Sequence, residues 1–365
     1  MSATLIFPAV TPEAREYAYR ERGHGRAVVA ASSVPCDENA AFYSLWEYLP
    51  AIHEPRFPSA FRRLVERYGV DRLFVPVPSV HVFLRQYLAE HDLPLAIVNE
   101  SPFEVEARRY RELLLAADQA MSLERAIAGT ASRLSRERIA AMLRAAMLIH
   151  GESNESKLAA MMGIFASAPR GDVVEIGALV GRSAAALRLL AGYYAIGPVL
   201  TVDPWDGELS IQQDSPELIR EMAFAWPPGV VAGQFRVNML GLGSRDFAHL
   251  PLPSREAFEI YRRGGHIGDA DFGGFRPEGR IAVLHIDGNH DYASVADDWL
   301  RWGSCLMPGG WVIFDDYVWA HGDGPRRVAD EMLRSEHERI DCAFACGKAL
   351  FIRLTTSPPD DGDKA

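Results

Sequence analysis

Cysteine is scarce in this chain of 365 residues: Cys36, Cys305, Cys342 and Cys346 are scattered and none form a C-x-x-C pair. That spacing speaks against a zinc or redox motif, and free buried thiols in a reducing compartment are expected. No apolar run reaches the roughly 20 residues needed to cross a bilayer, so no membrane partner is read. The opening stretch, MSATLIFPAV, lacks a basic region and a small-residue cleavage site. No secretion signal is therefore expected, and the cytoplasm is the expected compartment. Positive charge is outweighed, 38 Lys and Arg against 49 Asp and Glu. A net charge of −11 gives no electrostatic reason for a nucleic-acid partner.

What is present is an ordinary globular composition, 48% hydrophobic and 24% charged, with length for two domains. Over residues 1–105, apolar strands (Thr4–Ala9, Arg26–Ala31, Arg72–Val77, Leu95–Val98) alternate with helices (Phe61–Tyr68, His81–His91). This predicts a smaller auxiliary α/β domain. Thr11-Pro12-Glu13 reads as a helix start. Pro76 argues for an edge position or an early strand end. The segments after these strands carry Pro, Ser or Asn in place of clustered glycines, so no phosphate loop is read there. Residues 106–168 carry apolar residues at helical spacing and are expected to be a helical linker or lid. His150-Gly151-Glu152 breaks that run, as a turn or as a lid over a cofactor. Ser153 or Asn154 caps the next helix.

From Asp172 onward the apolar runs are continuous, as in parallel strands covered on both faces. DVVEI runs into Gly177-Ala178-Leu179-Val180-Gly181-Arg182-Ser183 and then a helix. Such a turn lets a ligand approach the backbone and aims helix N–H groups at it. Asp203 ends the next strand, where an acidic residue can accept hydrogen bonds from ribose hydroxyls. Trp205 is a candidate for stacking on an adenosine or for the core. Further on, IAVLHI ends in Asp287, and WVIF, after a Pro308-Gly309-Gly310 turn, ends in Asp315-Asp316. Ligands bind beyond the carboxyl ends of parallel strands. Three carboxylates buried there need a compensating cation, which points to a metal site. His290 is the candidate base. His285-x-Asp287 also fits a non-haem iron triad. That triad belongs on antiparallel double sheets, and His285 reads better as a packed or supporting residue.

The order E-I-G-x-x-x-G-R-S, V-D-P-W, L-H-I-D-G-N-H-D-Y and P-G-G-W-V-I-F-D-D-Y resembles class I S-adenosylmethionine (SAM) methyltransferases over residues 150–353. Glu175 stands where a dinucleotide fingerprint has its first glycine. The likeness is nearest to the Mg²⁺-dependent O-methyltransferases of the macrocin and mycinamicin type, which act on antibiotic sugars. The resemblance implies Mg²⁺ held by Asp287, Asp315 and Asp316, with His290 as base three residues after the first ligand. It implies a SAM site of Glu175, Gly177, Gly181, Arg182, Ser183, Asp203 and Trp205. The first third, with SLWEYLP-AI, resembles the N-terminal subdomain of ATP-grasp enzymes, but no ATP-grasp catalytic domain follows.

The expectation is thus an α/β protein with a Rossmann-like class I methyltransferase sheet at residues 169–355, helices on both its faces and a disordered tail at 356–365. The expected activity is metal-dependent O-methylation of a small hydroxylated acceptor by a cytoplasmic homo-oligomer. A nicotinamide-dependent dehydrogenase, a non-catalytic scaffold and N-methylation remain as alternatives. The insertion at 238–279 is expected to form a lid, a pocket wall carrying Tyr261, His266 and Phe272, or a flexible or oligomer-facing loop. His321 is a second candidate for substrate contact.

Overall fold

Alternating apolar and amphipathic runs fold here into sheets with helical cover. The structure is a computed structural model that describes residues 3–222 and 227–356. It divides into two units, Met1–Glu112 and Leu113–Ala365.

The first unit contains β1 (Ala3–Ile6), α1 (Pro12–Gly23), β2 (Ala27–Ser32), β3 (Trp46–Tyr48), α2 (Phe57–Tyr68), β4 (Val70–Phe74), α3 (Pro78–Glu90) and β5 (Ala96–Ile97). The strands are ordered β3-β2-β1-β4-β5 and all pairs are parallel. Thr11 starts α1 by accepting the Ala14 N–H at 3.2 Å, with Pro12 in the first turn. β4 ends at Phe74, before Pro76, whose nitrogen carries no hydrogen for the ladder. β3 lies in SLWEYLP, where no strand is expected from sequence; its three partly exposed residues carry too little apolar pattern.

After α4 (Pro102–Ala128), within which the division falls, come α5 (Arg136–Met147), α6 (Glu155–Phe165), β6 (Asp172–Ile176), α7 (Arg182–Tyr194), β7 (Val199–Val202) and α8 (Glu217–Met222). They are followed by α9 (Pro228–Leu240), β8 (Phe247–Leu250), α10 (Ser254–Arg263), β9 (Ile281–Ile286), α11 (Tyr292–Trp302), β10 (Leu306–Phe314), α12 (Gly324–Ser335), β11 (Ile340–Cys346) and β12 (Ala349–Leu354). The seven strands are ordered β11-β12-β10-β9-β6-β7-β8. β12 runs antiparallel to both its neighbours, and the remaining pairs are parallel. Every residue of β6, β7 and β9 is buried. Val173, Val199 and Ile313 pack with residues of α5, α6, α7 and α9. Val174, Leu200 and Val312 pack with α10, α11 and α12. These two clusters are the two covered faces of the sheet, and their period-two alternation along each strand divides them.

Four expectations need correction or a limit. Pro308-Gly309-Gly310 is not a turn before the strand; it lies inside β10 as an irregularity between Leu306 and Trp311. Of the four cysteines, all free, only Cys305 is buried. The 238–279 insertion contributes β8, which the sequence reading leaves in the loop, and α10, where a helix over Ser254–Arg262 is expected. Tyr261 and Phe272 belong to the core, where Tyr261 donates to Asp172 at 2.8 Å, and neither they nor His266 line the main cavity. From residue 357 the expected disordered tail lies outside the described residues. No helix among the described residues is long and apolar enough to cross a membrane.

Candidate active site

The turn after β6 is shaped by its glycines. Gly177 has φ +83°, and a Cβ there would lie 2.0 Å from the Asp287 carbonyl oxygen. Only glycine lets this turn pack against the end of β9. Gly181 has φ +99° and leaves room for the Met239 side chain. Asp203 holds the same turn from the end of β7. Its Oδ2 accepts the N–H groups of Ala178 and Leu179, and its Oδ1 that of Trp205, all at 2.9 Å. Burial raises the Asp203 carboxyl above its ordinary range, against the pull of these three N–H groups.

Trp205 donates from Nε1 to the Leu179 carbonyl at 2.9 Å, and its ring lies 4.3 Å from that of His249. Arg182 donates to the carbonyls of Ile149 and Ser153 at 2.7 and 3.2 Å, tying residues 149–153 to the turn. Gly177, Arg182, Ser183, Asp203 and Trp205 all line one cavity of about 1070 Å³, as do His150, Gly151 and Glu152. Glu175 and Gly181 are not among its lining residues.

The other wall of the cavity is acidic. Asp287 follows β9, and Asp315 and Asp316 follow β10, so neighbouring strands bring all three to the cavity. His290 Nε2 lies 3.8 Å from Asp287 Oδ1 and 3.6 Å from Asp316 Oδ2. His290 Nδ1 lies 3.4 Å from Gln212 Nε2, and its ring packs edge-on against Trp319 at 4.7 Å. Trp319 in turn meets His321, and both line the cavity. The loop bearing Gln212 is pinned by residues beside His290. Asn289 donates to the carbonyls of Leu209 and Ile211 at 3.0 and 2.8 Å, and Asp291 accepts the N–H groups of Gln213 and Asp214, each at 2.8 Å.

Beneath the carboxylates lies a residue the sequence reading misses. The Lys157 ammonium, on α6, contacts Asp315 Oδ2 and lies 3.6 Å from Asp287 Oδ2. His285 Nε2 faces the same two oxygens at 3.7 and 3.9 Å, and its Nδ1 lies 3.0 Å from Glu175 Oε1. A cation compensating the strand-end carboxylates is therefore supplied in part by the chain itself. The available signal was a lone lysine in a helix whose other residues from Leu158 to Phe165 are apolar and buried.

The ionisation pattern follows from this packing. Burial and the Asp315 charge push the Asp287 carboxyl up to about 7, against the pull of Lys157. Burial also pushes Asp315 upward, but Lys157 and hydrogen bonding outweigh it and hold that carboxyl well below its usual range. Burial would lower His290; the neighbouring Asp287 carboxylate and then the charge of Asp316 raise it instead. Two sets of ligand atoms cluster within 4.8 Å, one from His285, Asp287 and Asp315, the other from Asp287, His290 and Asp316.

A family described as a methyltransferase domain matches residues 174–317. A comparison with curated proteins finds no match. Among solved structures, the O-methyltransferase NovP is 20% identical, over 55% of this chain and 79% of that one, with a TM-score of 0.40. The calicheamicin methyltransferase CalS11 is 15% identical, over 73% of this chain and 95% of that one, with a TM-score of 0.38. MycE, from mycinamycin biosynthesis and in complex with Mg, SAH and mycinamycin VI, is 14% identical, over 54% of this chain and 47% of that one, with a TM-score of 0.30. The family match spans the glycine turn, Asp203 and the strand-end aspartates, so residues 174–317 are similar to a methyltransferase domain.

Proposed function

We propose that the chain is an O-methyltransferase that uses a divalent cation and acts on a hydroxyl of a small molecule, a sugar-bearing compound or saccharide first. The observation that carries this is the convergence of Asp287, Asp316 and His290 on the cavity that the glycine turn also lines.

The donor set fits a hard divalent ion. The three carboxylates outnumber the lysines that meet them, Lys157 at Asp287 and Asp315 and the half-exposed Lys348 at 4.0 Å from Asp316 Oδ1, and Asp287 Oδ1 and Asp316 Oδ2 face His290. Mg²⁺ prefers such oxygen ligands. Asp287, Asp315 and Asp316 would hold it, and when bound it would lower the pKa of an acceptor hydroxyl.

The chain's own residues supply the rest. The turn from Gly177 to Ser183 and the start of α7 seat the nucleoside, with Trp205 beside it. His290 takes the acceptor proton at Nε2, the nitrogen facing the aspartates. The acceptor oxygen bonds to the methyl carbon as the carbon–sulfur bond breaks, and the electron pair stays on sulfur, giving S-adenosylhomocysteine (SAH). For Nε2 to accept, Nδ1 must carry the hydrogen and needs an acceptor. Half a turn of the Gln212 amide presents its oxygen to Nδ1 and its NH₂ to Ser215 Oγ, now 3.0 Å from the amide oxygen. Trp319 beside His290 offers an apolar face for a sugar ring.

Calorimetric titration with SAH, in Mg²⁺ and in EDTA, tests the cofactor half. Methyl transfer to a panel of saccharides under the same two conditions tests the rest. SAH binding in both buffers with transfer only in Mg²⁺ is expected. Transfer that persists in EDTA would remove the cation from this reading.

A further inference from the structure

Lys157 is built into its place. It lies in the first turn of α6, where its N–H is capped by Asn154 Oδ1 at 2.9 Å. The turn between β11 and β12 presses on it: a Cβ on Gly347 would come within 2.6 Å of the Lys157 nitrogen and 2.8 Å of its Cβ. The side chain is 1% exposed, and neither Lys157 nor His285 lines the cavity that Asp287 and Asp315 line. The ammonium therefore meets the two carboxylates from their buried side.

We propose that Lys157 is a resident cation of the acidic site: it neutralises one of the three aspartates, seats Oδ2 of Asp287 and Asp315, and limits the site to a single, loosely held divalent ion. This rests on the metal-dependent reading above. Lys157 is a positioning residue, since its contacts are with the aspartates and not with the cavity. Removing its charge has two opposed effects. The two carboxylates lose the group that orients them, which costs the ordering of two short side chains. The site also gains one uncompensated negative charge where solvent screens poorly, which strengthens attraction for a dication. The second effect is the larger, so affinity rises.

The test is Mn²⁺ binding to the full chain in the presence of SAH, followed by electron paramagnetic resonance. Lys157→Gln keeps a hydrogen-bond donor against Asp315 and drops the charge; Lys157→Met is the second variant, and unchanged SAH affinity reports the fold of each. Wild type is expected to bind one Mn²⁺ per chain, and the variants to bind it at least about tenfold more tightly. Lys348→Gln, which removes the half-exposed ammonium 4.0 Å from Asp316, is expected to shift affinity less than about threefold. Equal or weaker Mn²⁺ binding in the Lys157 variants, with wild type still binding one ion, overturns the assignment alone. Binding only in the variants supports Lys157 as the site's cation and overturns metal use by the native chain. No Mn²⁺ on any form overturns both.

Discussion

His285 Nδ1 lies 3.0 Å from Glu175 Oε1, both side chains fully buried and on paired positions of β9 and β6. Burial raises the Glu175 carboxyl to about 8. Burial and then the Lys157 charge lower His285 to about 3. At neutral pH the pair is therefore predominantly neutral: the Glu175 O–H donates to Nδ1, and Nε2–H faces the Oδ2 atoms of Asp287 and Asp315. Glu175 bears on the acidic site through one imidazole.

Glu175→Gln keeps a donor for Nδ1 and removes the titrating group. Because the folded-state value of Glu175 lies above its unfolded one, the protonated form is the one the fold favours. Wild-type stability is fullest below about 4.5 and falls as pH rises toward about 8, by at most about 1.4 kcal/mol per pH unit. The variant lacks this loss. Urea denaturation at pH 5, 6.5, 8 and 9 should show the difference moving in the variant's favour up to pH 8 and then levelling. A constant difference would mean that Glu175 is already ionised in the folded protein.

In the second sheet the central strands were legible because they are largely apolar runs, and DVVEI, VLTV and IAVLHI were bounded to the residue, whereas β8 and the mostly exposed β11 were not read as strands. Asp287, Asp315 and Asp316 were legible because the carboxyl end of a parallel strand fixes where its last residue goes. Lys157 was not, since 158 residues separate it from Asp315 and no local pattern joins them. Tyr261 and Phe272 misled for a related reason: an insertion between strands reads as a loop until the core it completes is known. The backbone role of Asp203 was hidden too, because a residue's spacing does not say which N–H groups reach it.

Gly177→Ala tests the close approach of the turn to β9. The added methyl would meet the Asp287 carbonyl at 2.0 Å, and the backbone is left-handed there. A loss of roughly 3 kcal/mol or more is expected from the combined clash and strain, with SAH binding lost or severely weakened. Chemical denaturation and calorimetry would measure both. Near-native stability and affinity would show that the turn can move away from Asp287 without consequence.

Asp203→Asn turns an NH₂ toward N–H groups that need an acceptor. SAH affinity should fall by about 1–3 kcal/mol, with a stability loss of similar size. Repeating the titration with an SAH analogue lacking both ribose hydroxyls separates two roles. Equal losses for both ligands would place the whole effect in the turn. A loss confined to SAH would put a ribose hydroxyl on Asp203 as well.

Asp316→Ala removes a carboxylate that lines the cavity and touches no residue of the glycine turn. Methyl transfer should fall by about two orders of magnitude or more while SAH affinity stays within a few fold. Titration and a radiolabelled-methyl assay give the two numbers. An unchanged rate would take this carboxylate out of the reaction.

His290→Ala addresses the base directly. His290 must be neutral to accept a proton, and before a divalent ion binds the carboxylates around it raise it above the ordinary imidazole value despite burial. Wild-type turnover should therefore rise with pH through the neutral range, because the productive form is the deprotonated one. The variant should lose about 10²–10⁴ in kcat and lose that rise with it, since the titrating group is gone. SAH affinity should hardly change, because the imidazole contacts Gln212, Trp319 and the aspartates and not the glycine turn. A pH profile of kcat for both proteins at saturating SAM decides the matter. If the variant is slow but keeps the wild-type rise, another group takes the proton and His290 only shapes the pocket.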